Sequence, residues 1–97
     1  MITAAERHLV PFLDGAVAHI FRAKPGHFPV DTAEARELIQ TTAIGEYFVG
    51  IKAGGTAVYQ RVIETGTQIW VYVSAGTIRD AGFNEVPRSN EQLLRGR

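Results

Sequence analysis

The chain has 97 residues, 45% of them hydrophobic and 21% charged, which is enough for one domain with a real core and too few for two. It contains no cysteine, which excludes a disulfide framework, a thiolate zinc site and a cysteine nucleophile together. Ten basic residues balance ten acidic ones, so no global field draws the protein to nucleic acid or to an anionic membrane, and a nucleic-acid role needs a local patch.

The longest apolar stretches, such as Ala16 to Phe21 with His19 inside it, are far too short to span a bilayer. The N-terminus shows no signal-peptide pattern, so a soluble chain is expected. No repeat or low-complexity segment divides it. The expectation is a single domain over 1–97, with helices at about 3–43, a sheet at about 47–84 and a polar tail at 88–97.

Leu9, Leu13, Ala16, Val17 and Ile20 recur at helical spacing. Proline is harmless at a first helical position and costly inside a helix, so the main helix is placed at about 11–22, with 3–10 a separate or kinked turn. Two prolines and a glycine then make 23–30 a constrained loop. Asp31 reads as an N-cap, completed by Glu34 three residues on, for a second helix over about 32–42 that buries Leu38, Ala35 and Ile39.

Beyond Gly45 the period changes to two. Segments 47–52, 56–63, 67–74 and 77–84 are rich in Val, Ile, Tyr, Phe and Thr, and Gly54-Gly55, Thr65-Gly66 and Ala75-Gly76 separate them as turns. Links this short require antiparallel neighbours. The fold class is therefore α+β, with N-terminal helices on one face of a four-stranded antiparallel meander.

A two-residue turn at Thr65-Gly66 would set Tyr59, Arg61, Gln68, Trp70 and Tyr72 on one face and Val58, Val62, Ile69, Val71 and Val73 on the other. The second set is uniformly apolar and is expected to face the helices. The first set matches the stacking and phosphate-contacting groups of RNA-binding sheets, or else packs on a partner or on the C-terminal tail.

Three histidines are the side chains suited to proton transfer near neutrality. His8 has no chemical company nearby. His19 borders the first helix's apolar stripe, where a structural role competes with a catalytic one. His27 stands in a Pro-Gly-His-Phe-Pro loop that fixes its position, and it is the stronger candidate. Arg36 could be presented to His27 as a bidentate phosphate clamp or lie in a surface pair with Asp31 or Glu34. No histidine pair has chelating spacing, so no metal or cofactor is expected.

The order His19-Ile20-Phe21-Arg22, Gly26-His27, Asp31-Thr32, Arg36, Gly66-Thr67-Gln68-Ile69-Trp70-Val71, Gly76-Thr77-Ile78 and Gly82-Phe83-Asn84 resembles a toxin module. That module occurs at the C-termini of bacterial contact-dependent and hemagglutinin-type polymorphic toxins and in some phage head-associated proteins. The resemblance covers roughly Ala18 to Pro87. In three places the pattern differs: Ala35 stands where the family often has Asn, Lys52-Ala53-Gly54-Gly55 replaces a family-typical Asp and Gly turn, and Ser74 or Ala75 stands where the family has an arginine before the last turn.

The resemblance implies a compact endoribonuclease toxin, acting in a target cell's cytoplasm on RNA, with tRNA among the candidates, and neutralised by a cognate immunity protein. His27 and His19 would divide general-base and general-acid work without metal, and Arg36 with Thr32 would stabilise the phosphorane. Tyr59, Arg61, Trp70 and Tyr72 would hold the RNA, with Gln68 and Asn84 bonding to a base or the backbone. The competing expectation is a non-catalytic protein-interaction module, or a decayed toxin domain in a phage or secretion protein.

Overall fold

The computed structural model describes residues 9–95, so His8 and most of the expected first turn lie outside the described residues. Four strands, β1 (Phe48–Ile51), β2 (Ala57–Val62), β3 (Gln68–Ser74) and β4 (Thr77–Asn84), form one antiparallel sheet in sequence order. Helices α1 (Val17–Ile20) and α2 (Ala33–Thr42) pack on one face, and the fold is α+β as its sequence pattern requires. Ile20 and Ile39 from the helices meet Ile69, Val71, Ile78 and Ala81 from the sheet in one buried cluster. Each buried isoleucine there contributes about 1.5–3 kcal/mol of transfer free energy. Among the described residues no helix is long and apolar enough to cross a membrane.

The first helix is shorter than expected. A 3-10 turn at Asp14–Ala16 leads into α1, and Pro11 is not helical. Its carbonyl accepts from Ile78 N at 2.8 Å, and Leu13 N donates to Ile78 O at 3.1 Å, so the segment lies along the outer edge of β4. A residue without an N–H suits an edge, where an acceptor suffices. At α2 the cap is Thr32 and not Asp31: Thr32 Oγ1 accepts from Ala35 N at 3.0 Å. Asp31 instead receives two bonds from Arg36, each 2.6 Å.

The β2–β3 register differs by one residue from the expected one. Ile63 N donates to Thr67 O and Gly66 N to Ile63 O, closing a three-residue loop with Gly66 at φ +88°. Val62 therefore faces Gln68, Gln60 faces Trp70 and Val58 faces Tyr72. A one-residue slip reverses every side chain of a strand. Ile69, Val71 and Val73 do face the helices, whereas Val58 and Val62 lie on the opposite face and Tyr59 and Arg61 lie under the helices.

Binary patterning misled here because the second face is not open water. The segment read as a polar tail contains α3 (Asn90–Arg95), whose Leu93 is buried and whose Leu94 lies against Gly50 of β1. Gln68, 2% exposed, holds this segment in place: its Nε2 donates to Arg88 O and its Oε1 accepts from Arg88 N, both at 2.9 Å. Val58 is buried on the face that α3 partly covers.

The β3–β4 turn is the expected two-residue one, with Ala75 at φ 51° and Gly76 at φ 78°. Both positions need the left-handed region, as in a type I′ turn, and alanine is strained there. Ala75→Asn is expected to stabilise the fold by about 0.5–1 kcal/mol, because asparagine tolerates that region and Asn-Gly is the favoured pair. Urea denaturation of the two proteins reads the difference directly, and an unchanged or lower midpoint would remove strain at Ala75 as the explanation.

Candidate active site

His27 is positioned by local rules. Lys24-Pro25-Gly26-His27 is a type II turn: proline fixes the second position, Gly26 takes φ +82° at the third, and His27 N donates to Lys24 O at 3.0 Å. A Phe21–Phe28 bridge and the Arg22 N to Phe28 O bond close the loop. Phe83 N then donates to Gly26 O at 3.0 Å, tying the loop to β4. This close approach is possible because residue 82 is glycine, since a Cβ there would run into Gly26 O and Trp70.

Above this junction two imidazoles and a carboxylate converge. The His19 and His27 rings are 5.9 Å apart and nearly perpendicular. His19 Nε2 lies 3.3 Å from Asp80 Oδ2, and Asp80 Oδ1 accepts from Ala81 N at 2.9 Å. The His27 ring stands edge-on to Trp70 at 6.3 Å, and Trp70 in turn packs on Tyr72 at 4.9 Å. His27, Asp80, Trp70 and Tyr72 border a cleft of about 1190 Å³ whose walls are the 24–29 loop and the 84–88 segment, with Lys24 and Arg88 supplying positive charge; His19 stands behind Asp80, outside the lining.

Burial holds the His27 imidazole below its ordinary value, opposed by the Asp80 charge and reinforced by Arg22, His19 and Lys24. Its Nδ1 is buried without a hydrogen-bond partner. The shift favours the unprotonated, proton-accepting ring.

The other expected site residues divide sharply. Trp70, Tyr72 and Asn84 line the cleft. Gln68 is occupied by Arg88, Gln60 and Asn84, so its amide serves structure and is not available to a base. Arg61 is directed to the C-terminal end of α2, donating to Thr42 Oγ1 at 2.9 Å, Thr41 Oγ1 at 2.6 Å and Leu38 O at 3.3 Å. A guanidinium satisfies unpaired carbonyls and the negative pole there. Tyr59 packs against the helix-side core and meets Phe48.

Arg36 and Thr32 do not reach the histidines. The Arg36 fork is filled by Asp31, and its guanidinium lies over the Phe12 and Phe21 rings at 5.1 and 5.8 Å. The Thr32 hydroxyl is spent on the helix cap. The surface-pair alternative for Arg36 is thus the one the fold adopts, and the cations beside the histidines are Arg22, Lys24 and, across the cleft, Arg88.

No motif points to Asp80, and its one signal in the sequence is a break in alternation. Ile78 and Ala81, both buried, are three residues apart in a strand where two is the period. Such a break marks a bulge, and the polar pair inside it is turned away from the core. Compared with known protein families, characterised proteins and solved structures, the chain matches none.

Proposed function

We propose that the protein is a metal-independent endoribonuclease that cleaves RNA by transesterification, acting as the effector module of a delivered bacterial toxin. The observation that carries this reading is the pair of imidazoles 5.9 Å apart, one edge-on to Trp70 and the other beside Asp80. One phosphate can meet both rings at that separation. His27 accepts the proton of the ribose 2′-hydroxyl, the freed oxygen attacks phosphorus, and His19, beside Asp80, acts as the general acid that gives a proton to the departing 5′-oxygen. The products are a 2′,3′-cyclic phosphate and a 5′-hydroxyl.

The roles assigned to Arg36 and Thr32 pass to Lys24 and Arg88, which line the cleft, and to Arg22 near His27 outside that lining. Lys24 and Arg22 lie beside His27 and Arg88 lies on the opposite wall, where they stabilise the negative charge that grows on the phosphorane. Trp70 offers ring surface to an unstacked base, backed by Tyr72, whose own ring packs on Trp70 and under Lys52 Nζ at 4.2 Å, and Asn84, whose Nδ2 is given to Gln68, offers its amide oxygen. The resemblance of the sequence to toxin modules supports delivery to a bacterial cytoplasm and neutralisation by an immunity protein that covers this cleft.

The test is direct. Purified protein at micromolar concentration should cut RNA in the presence of EDTA and leave cyclic phosphate ends, and its expression in a bacterium without the immunity partner should arrest growth. Intact RNA, or cleavage lost on chelation, would overturn the mechanism; RNA binding without cleavage would favour an interaction module.

A further inference from the structure

The position of Asp80 depends on one extra residue in β4. From the turn, Ser74 pairs with Thr77 and Val73 with Ile78, a register that if continued would set Asp80 opposite Val71, on the face buried under the helices. Instead the register shifts so that Tyr72 pairs with Asp80 and Arg79 is the added residue. The bulge turns the carboxylate out of an apolar core and onto the face that carries Trp70 and Tyr72.

Once there, the carboxylate is held on one side and directed on the other. Its side chain is 16% exposed, Ala81 N fixes one oxygen, and the second oxygen meets His19 Nε2. His27 also feels its charge, against Arg22, Lys24 and His19. A carboxylate anchored by its own backbone has little freedom left, so the ring it meets is oriented by it.

We propose that Asp80 is the positioning residue of this site, a single carboxylate that orients His19 and balances the cations around His27 so that the two rings work as one proton-relay pair. The assignment rests on the acid–base reading of the site. It does not require that the substrate be RNA.

Asp80→Asn isolates the charge, since the amide oxygen can still accept from Ala81 N while the negative charge is lost. With the full chain labelled at histidine nitrogen, the imidazole titrations of wild type and D80N are followed by NMR, alongside the pH profile of RNA cleavage. In D80N the His27 midpoint should move to lower pH, and the His19 Nε2 resonance should shift as it loses its partner. The cleavage rate kcat should fall about tenfold to a hundredfold, a fraction of what a complete acid–base group supplies, with KM nearly unchanged. The acid limb of the pH profile should move down with His27. Asp80→Glu, which restores the charge, should recover part of the rate.

A carboxylate that serves only the bulge would lower stability and leave the His27 titration and the His19 Nε2 resonance where they were, and that result overturns the proposal. So would a D80N enzyme that cleaves at the wild-type rate. If neither protein cuts RNA yet both histidine signals move as described, the coupling by Asp80 stands and the ribonuclease reading falls.

Discussion

Replacing His27 by alanine is expected to lower RNA cleavage by about a hundredfold to ten-thousandfold, the contribution of a complete general acid–base group. The fold should survive, because the turn that carries His27 is built from Pro25, Gly26 and backbone bonds that the substitution leaves in place. Single-turnover cleavage with circular dichroism at the same pH separates the two effects, and wild-type cleavage by the variant would end the assignment of His27 as the base. The same variant carries a pH signature. Burial lowers the folded-state value of His27 below the 6.5 of the unfolded chain. The unfolded chain then takes up its proton first as pH falls. The stability linked to the neutral ring is present in full above pH 6.5, and is lost as pH falls from there through the folded value. His27→Ala should therefore lose less stability than wild type when the pH is lowered from neutrality to 5. A parallel decline in the two proteins would show that another group carries the acid sensitivity.

Gly82→Ala is expected to be the most damaging small substitution in the sheet. A methyl there would stand 2.5 Å from Trp70 Cζ2 and 2.9 Å from Cε2, and closer still to Gly26 O. The carbonyl cannot retreat without giving up its bond from Phe83 N, and the indole cannot move without disturbing Tyr72 and His27. Overpacking of this kind costs about 1–3 kcal/mol, and the lost hydrogen bond adds about 1 kcal/mol. Trp70 is the only tryptophan in the chain, so its fluorescence reports the displacement without labelling. Gly15→Ala, with nothing within 4 Å of the added carbon, is the matched control. Equal denaturation midpoints for the two variants would show that the His27 loop does not depend on its close approach to β4.

The carboxylate and the cations of the site were less legible than its histidines, for reasons that differ residue by residue. His27 could be singled out because a Pro-Gly turn fixes a backbone locally, and local rules survive into the fold. Arg36 could not be placed, since its bonding to Asp31 or to a phosphate depends on the path of the loop before α2. Asp80 depended on a bulge whose trace in the sequence is a single break in alternation between Ile78 and Ala81.

By itself the sequence determined the second helix and the four strands, and their order. Period-two segments joined by Gly54-Gly55, Thr65-Gly66 and Ala75-Gly76 admit antiparallel neighbours and little else, and the four strands fall within the expected segments. It also determined the helix-facing side of β3, where Ile69, Val71 and Val73 alternate with polar and aromatic residues. Only the tertiary structure decided which way β2 faces. A two- or three-residue loop at Thr65-Gly66 differs little in local energy, and the choice fell to burial on both sides of the sheet: α3 lies on the face where Val58 is buried, and the end of α2 accepts Arg61 on the other. Binary patterning assumes one wet face, and here neither face is wet throughout. The meeting of His19, His27 and Asp80 is tertiary for the same physical reason, because it brings together a short helix, a loop and a bulged strand whose relative positions are set by what each buries.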